Sequence, residues 1–328
     1  MCGICGLIYS DRQRQVDEHL LSRMNDTIRH RGPDDAGVYT DGQAGIAMRR
    51  LSIIDVAGGH QPISNEDGAV HIVYNGETYN YQALREELLG LGHVFKTNSD
   101  TETILHAYEA FGRQCVDRLN GMFSFAIWDS KIRRLFIARD RLGIKPLYYD
   151  FSPERLVFGS EIKPLLASGE IDTTIDYKGL QYYLTYLYMP ARTTIYENVQ
   201  KLPPGHTLTW QDGQITIEPY WDISYEEDPS LTEPEALERL EALLTDAVGI
   251  RLMSEVPLGA FLSGGIDSSS VVAFMMKALD RPVETFSIGF PGEGPFNELN
   301  DARTAATHLK TEHHEMVVEP DAVGLMPD

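Results

Sequence analysis

With 328 residues, 42% of them hydrophobic, the chain can bury a sizeable core and on length alone divides into about two domains. Lys and Arg number 28 against 49 Asp and Glu, a formal net charge of -21 that repels phosphate backbones and anionic headgroups and so excludes nucleic acid and membrane surfaces as partners. Cys2, Cys5 and Cys115 give no disulfide framework, there is no basic-then-apolar leader and no bilayer-length apolar run, and the chain is expected to be soluble and cytoplasmic.

Residues 1 to about 205 read as short strands with turns. Apolar or alternating runs at 4–9, 45–54, 70–75, 123–129 and 135–139 are bounded by Gly, Asp or Asn. Two helices are predicted among them. One starts near Tyr81 with Leu84, Leu88 and Leu91 on a face; the other follows Asp100 with Ile104, Leu105 and Tyr108 as its stripe. Such a mixture, without regular βαβ alternation, points to packed antiparallel sheets with helical layers. After Trp221 the stretch 222–235 is acidic and carries Pro229 and Pro234, as a linker does. Thr232 and Glu235 make a capping box, and Leu237, Leu240, Leu244 and Val248 then repeat at helical spacing. A strand over 258–262, a glycine loop, a helix through Val272 and Met276, a strand over 283–290, a helix over 302–309 and a strand over 314–319 spell βαβαβ. That is the opening of an α/β doubly wound parallel sheet. A half-sheet leaves helix faces and a strand edge uncovered, so this second domain is expected to be incomplete.

The first six residues are Met1-Cys2-Gly3-Ile4-Cys5-Gly6. Aminopeptidases clip an initiator Met before a small residue, which would leave Cys2 with a free α-amine. An amine with an ordinary pKa near 8 can take the thiol's proton, placing nucleophile and base in one residue. Alone, Cys2 reads as a small residue at a processed terminus or as half of a Cys-x-x-Cys pair. No second pair exists to complete a structural zinc site.

Further blocks follow in order: Arg29-His30-Arg31-Gly32-Pro33-Asp34-Asp35, Arg50-Leu51-Ser52-Ile53-Ile54-Asp55, Tyr74-Asn75-Gly76-Glu77 and Ser99-Asp100-Thr101-Glu102. Together with Cys2 they resemble the glutaminase domain of the class II, N-terminal-nucleophile amidotransferases, and within it glutamine-hydrolysing asparagine synthetase. The blocks Asp140-Arg141-Leu142-Gly143-Ile144-Lys145-Pro146-Leu147-Tyr148-Tyr149 and Phe158-Gly159-Ser160-Glu161-Ile162-Lys163 extend the likeness. The resemblance implies an α+β, four-layer glutaminase domain, an antiparallel β-sandwich with helical layers, over 2–205. A connecting segment and linker over 206–235 and a partial ATP-pyrophosphatase-type synthetase domain over 236–328 would follow. It also implies roles. Cys2 attacks the side-chain amide of glutamine. Arg50 takes the α-carboxylate, and Asp100, helped by Glu77, takes the α-ammonium. The backbone of Leu51, Ser52, Ile53 and Ile54 lines the wall, and the Asn75 amide with the Gly76 N–H makes the oxyanion hole. Blander readings exist for each: Asn75-Gly76 as a type I′ hairpin turn, Arg50 as a surface residue, Asp100 as a helix N-cap. His30 is read as structural, since the amine already supplies a base.

Leu262-Ser263-Gly264-Gly265-Ile266-Asp267-Ser268-Ser269 lies between a predicted strand and helix, where small residues let N–H groups face an anion. No Gly-Lys-Ser/Thr is present, so it is not a Walker-type loop. A glycine turn with an Asp N-cap is the bland reading. The pattern resembles the pyrophosphate loop of ATP pyrophosphatases. That likeness implies ATP held by Ser263, Gly264, Gly265 and Ser268, with Leu262 and Ile288 against the adenosine and Mg bound through Asp267. Aspartate would be activated as β-aspartyl-AMP and amidated by ammonia reaching it through an internal channel. The family's later Ser-Gly-Asp-Gly-Gly-type motif does not occur before Asp328, so glutaminase chemistry is expected with asparagine synthesis impaired. Glutamine, aspartate and ATP are the implied small-molecule partners, and a homodimer is expected by analogy. Three alternatives stand: a lactam-synthetase or cyclase-like ligase, an amidotransferase with another acceptor, and a glutamine-binding module without catalysis. The retained Cys2, Arg50, Asn75 and Asp100 argue against the first and the last.

Overall fold

The architecture is that of a computed structural model describing residues 1–190, 192–292, 294 and 297–319. It divides into two compact units, Met1–Tyr225 and Glu226–Asp328. The first unit begins β1 (Gly3–Tyr9), α1 (Glu18–Asp26), β2 (Asp35–Asp41), β3 (Ala44–Arg50), β4 (Ile63–Ser64), β5 (Val70–Thr78), α2 (Tyr81–Gly90) and α3 (Asp100–Phe111). It continues through α4 (Cys115–Arg118), β6 (Gly121–Asp129), β7 (Arg134–Arg139), β8 (Tyr148–Ser152), β9 (Arg155–Gly159), α5 (Ile162–Ala167) and α6 (Tyr177–Tyr186). Strands β10 (Gln200–Lys201), β11 (His206–Gln211) and β12 (Gln214–Pro219) complete it.

These strands form two antiparallel sheets of six, ordered β10-β8-β9-β1-β3-β2 and β12-β11-β7-β6-β5-β4. Strand periodicity explains the layering, because successive side chains point to opposite faces. In β1, Ile4 and Ile8 face inward to meet Val73, Ala126, Ile137 and Trp210 of the other sheet. The alternate residues Cys5, Leu7 and Tyr9 face outward onto Leu21, Met24 and Ile28 of the α1 region. In β5, Val73 points between the sheets while Ile72 and Tyr74 pack under Leu84, Leu88, Ile104 and Leu105 of α2 and α3. With both faces covered, β1 is buried along its whole length, which is why it reads as an apolar run rather than an alternation. The result is helix, sheet, sheet, helix, the expected four layers.

Several expectations shift. Leu91, assigned to the apolar face of α2, is 59% exposed because the helix ends at Gly90 and the chain turns away. The strand expected to run to residue 54 stops at Arg50, where residues 51–54 leave the sheet. More helices interrupt the strands than the two predicted: α1 is capped by the Asp17 carboxylate on the His19 N–H, and α4, α5 and α6 also form. Residues 206–219, read as part of a connecting segment, are β11 and β12, with β11 pairing to β7.

The second unit starts with α7 (Glu233–Gly249), whose N-terminus carries the expected capping box, the Thr232 N–H donating to Glu235 Oε2 at 3.0 Å. Strands β13 (Gly259–Phe261), β14 (Glu284–Gly289) and β15 (Glu312–Val317) make one parallel sheet in sequence order. They alternate with α8 (Ile266–Ala278) and α9 (Leu299–Leu309). Its cores are small: Val248, Met275 and Val283 in one cluster, and Leu262, Val272 and Ala306 in another. Phe261, Leu237, Leu240 and Met316 are exposed.

Candidate active site

Strand β1 sets Cys2 at the end of the first sheet, beside the point where β3 gives way to the loop after Arg50. The Cys2 thiol lies 3.5 Å from Leu51 O and accepts the Leu51 N–H at 3.3 Å. Burial pushes this thiol up, against the Leu51 N–H and the nearby N-terminal charge, so at rest it is a neutral thiol that needs a base. Cys5 and Cys115 are fully buried and their thiols are likewise pushed up by burial, which leaves Cys2 as the thiol with access.

A cavity of about 320 Å³ opens on Cys2. Met1, Arg50, Leu51, Ile53, Ile54, Asn75, Gly76, Glu77 and Asp100 line it, together with Gln61, Tyr74, Met122 and Lys145. Ser52 does not line it; its N–H is taken by Asp34 Oδ2 at 2.9 Å. Arg50 is buried and shapes the wall, its Nη2 donating to Ile54 O at 2.9 Å and Asp55 O at 2.8 Å. A guanidinium has five N–H donors, so holding this loop leaves capacity for an anion.

Asn75 and Gly76 sit within β5, opposite Ser124 and Phe123 of β6, so the hairpin-turn reading is overturned. The strand comes so close to β6 that a Cβ on residue 76 would stand 2.2 Å from Met122 O, and only glycine fits. Asn75 is fully buried; its Nδ2 is 3.5 Å from Ser124 Oγ and its Oδ1 has no hydrogen-bond partner among the described residues. A buried amide left that open beside a cavity is unusual and marks a place where a ligand can complete the pairing.

Asp100 is the first residue of α3 and not its cap. Ser99 caps the helix, Oγ accepting from the Thr101 N–H at 3.1 Å. Asp100 Oδ2 instead accepts from the Tyr74 hydroxyl at 3.0 Å and the Thr78 N–H at 2.9 Å. Burial raises this carboxyl against those donors. An ammonium arriving in the cavity would meet a fixed, poorly solvated carboxylate.

Sequence reasoning missed three contributors. Arg31 Nε donates to Cys2 O at 2.9 Å and so fixes the backbone of the nucleophile, while Arg31 Nη1 is held by Glu161 Oε1 at 3.2 Å. His30 binds the same Glu161 oxygen at 2.8 Å, in agreement with its structural reading. Lys145, buried in the cavity wall with its ammonium pKa lowered by burial, belongs to a loop wrapped on Asp140, whose carboxylate accepts the N–H groups of Leu142, Ile144 and Lys145. Their blocks were visible in the sequence, but nothing in residue spacing tells which member reaches the nucleophile.

In the second unit a smaller cavity of about 240 Å³ is lined by Leu262, Ser263, Ser268 and Ile288 with Phe286, Ser287, Glu298 and Ala302. Gly264 has φ +81° and lies against Asp301, where a Cβ would come within 2.3 Å of backbone. Gly265 is the N-cap of α8, which corrects the reading of Asp267 as a cap; Asp267 is exposed in the first helical turn and, like Gly264 and Gly265, does not line the cavity. The hydroxyls of Ser263 and Ser268 stand 3.0 Å apart. Small residues, a helix N-terminus and paired hydroxyls suit a phosphate chain.

The family pattern described as "Glutamine amidotransferase domain" matches residues 1–221, and that described as "Asparagine synthase" matches 239–328. "Asparagine synthetase [glutamine-hydrolyzing] 1" of Bacillus subtilis is 40% identical over 98% of this chain and 51% of its own length. "Putative asparagine synthetase [glutamine-hydrolyzing] 2" of Methanocaldococcus jannaschii is 37% identical over 96% of this chain and 64% of its own. The chain thus spans about half the length of the first of these curated relatives. Among solved structures, glutamine phosphoribosylpyrophosphate amidotransferase of B. subtilis, complexed with ADP and GMP, aligns with a TM-score of 0.51. That alignment covers 100% of this chain and 69% of the other at 17% identity, a likeness of fold alone.

Proposed function

The chain belongs to the glutamine amidotransferase domain family and is a homologue of the glutamine-hydrolysing asparagine synthetases, and on that premise we propose that it hydrolyses glutamine with Cys2 as nucleophile. The observation that carries the reading is the convergence of Cys2, Arg50, the open Asn75 amide, Gly76 and Asp100 on one cavity. Removal of Met1 frees the α-amine of Cys2, which takes the thiol proton. The thiolate attacks the amide carbon of glutamine, whose carboxylate pairs with Arg50 and whose ammonium pairs with Asp100 and Glu77. The developing oxyanion is met by the Gly76 N–H and by the Asn75 NH2, the Asn75 Oδ1 turning to the Ser124 hydroxyl. The C–N bond breaks, the amine returns its proton to the leaving nitrogen, and ammonia departs. Water, deprotonated by the same amine, then hydrolyses the thioester to glutamate and restores the thiol. A buried thiol with a raised pKa makes this built-in base necessary.

We take the amidotransferase domain over 2–205 to be extended by β11 and β12 of the connecting segment over 206–235, since β11 pairs with β7, and the synthetase domain to follow over 236–328. For that second domain the matched asparagine synthase family implies ATP use. The proposal there is activation of aspartate as β-aspartyl-AMP with release of pyrophosphate. Ser263, Gly264, Gly265 and Ser268 would face the phosphates, Leu262 and Ile288 the nucleoside, and Asp267, exposed in the first turn of α8, would bind Mg. Ammonia and glutamate released from glutamine by the chain and by Cys2→Ala test the first half. Equal release by both would overturn it. AMP formation from ATP and aspartate tests the second, and its absence with an intact glutaminase would confine the activity to the first unit.

A further inference from the structure

We propose that Glu66, His93, His106 and Glu109 form a binding site for one divalent cation of the zinc class, held by two imidazole nitrogens and two carboxylate oxygens. Four donor atoms, one from each residue, lie within 4.8 Å of one another. His106 Nδ1 is 2.8 Å from Glu109 Oε2 and 3.9 Å from Glu66 Oε2; His93 Nδ1 is 3.8 Å from Glu109 Oε2 and 4.0 Å from Glu66 Oε1. A tetrahedral ion with bonds of about 2.1 Å sets its donors about 3.4 Å apart. The present separations fall on both sides of that value, so side-chain adjustments of less than about 1 Å would seat the ion.

Neighbouring groups already point the donors inward. Glu66 Oε1 accepts the Val94 N–H at 3.0 Å, leaving Oε2 toward His106. Glu109 Oε1 accepts Asn65 Nδ2 at 2.6 Å, leaving Oε2 toward both imidazoles. An independent observation lies on the far side of His106. Its Nε2 is buried without a hydrogen-bond partner among the described residues and faces Glu102 Oε1 at 3.7 Å. Glu102 is anchored by the N–H groups of Lys96 at 2.8 Å and Thr97 at 2.6 Å. A carboxylate behind an imidazole holds the proton on the distal nitrogen and turns the near lone pair to the metal, a recurring arrangement at metal-bound histidines.

The donor set decides the ion. Imidazole with carboxylate and no thiolate suits the zinc class, whereas calcium and magnesium take six or more oxygens. Four protein donors fill a tetrahedral shell, so the site is structural. Side-chain exposure grades from 1% at His106 through 18% at His93 and 21% at Glu109 to 37% at Glu66, which gives an entry edge. The ion would tie the segment after β4 and the α2–α3 link to helix α3.

The test is to strip the full chain with chelator, dialyse it against zinc sulfate and count bound zinc by elemental analysis. The expected result is one zinc per chain, a raised Tm, and retention of both in Cys2→Ser. His93→Ala and Glu109→Gln should lose stoichiometric zinc while keeping the native circular dichroism, and Glu102→Gln should weaken binding by about 10–100-fold. Should His93→Ala misfold, the exposed-edge variant Glu66→Gln decides in its place. Less than stoichiometric zinc in the wild type, unchanged zinc in the cluster variants, or loss of zinc in Cys2→Ser would each overturn the proposal.

Discussion

Arg31 reaches the nucleophile through its backbone, and this makes it a positioning residue whose loss is distinguishable from a loss of folding. Arg31→Lys keeps a charge but cannot offer Nε to Cys2 O while pairing with Glu161, because an ammonium is a point donor and a guanidinium a fork. It should lower kcat for ammonia release by about 10–100-fold, as expected for misplacing a reacting group, with KM nearly unchanged. Asp100→Asn should do the reverse and raise KM, since a charged hydrogen bond contributes about 1.5–3 kcal/mol, or roughly 10–150-fold. Burial holds the Asp100 carboxyl above its ordinary range, so in the free enzyme its charge disappears earlier as pH falls. The acid limb of kcat/KM should therefore lie above that of an unperturbed carboxylate and be absent in Asp100→Asn. Gly76→Ala would press a methyl against Met122 O and should cost about 1–3 kcal/mol in stability, read as a lower Tm. The identities of Cys2, Arg50, Asn75, Gly76 and Asp100 as candidates were legible in the sequence. Tyr74, Thr78 and Arg31 were not, because their contributions depend on contacts between residues far apart in the chain.

Helix α3 joins two jobs, with Asp100 at its start and His106 and Glu109 toward its end. Burial alone would raise Glu102 and lower His106. Their mutual attraction reverses both, aided by the Lys96 and Thr97 groups on Glu102 and by Glu109 on His106, so that Glu102 is held near 2 and His106 is pushed up to about 9. A depressed carboxyl stabilises the fold above its ordinary pKa of about 4.3 and loses that contribution as pH falls toward the folded value. A raised imidazole stabilises fully below about 6.5 and loses its contribution as pH rises through the folded value. In chelator the Tm should thus be highest between about pH 4.5 and 6.5 and decline toward pH 9, and His106→Gln should lack the alkaline decline. The start of α3 was visible as Ser99-Asp100 before an apolar stripe. Its far end drew no attention, since His93 and Glu66 come from separate segments and only the sheet brings them to it. The extension of β5 through Gly76 was hidden for a related reason: Asn-Gly is a turn signal locally, and pairing with β6 overrides it.

The two units carry separate cores, three clusters dominated by large buried side chains in the first and two small ones in the second. Stability follows buried apolar area, so calorimetry should record two transitions with the second unit melting first. A single transition would mean that the units are energetically one. The layer order of the first unit and the βαβαβ order of the second were both legible, because strand and helix periods differ. What periodicity could not supply was the membership of β11 and β12, whose short alternating runs acquire a place only by pairing with β7. The central claim concerns a thiol and an amine on one terminal residue, and it is tested most directly by weighing the whole chain before and after an electrophilic glutamine analogue. The account predicts a mass lacking Met1, then a single adduct that maps to Cys2 and is prevented by excess glutamine. A chain that retains Met1, or an adduct on Cys5 or Cys115, would contradict it.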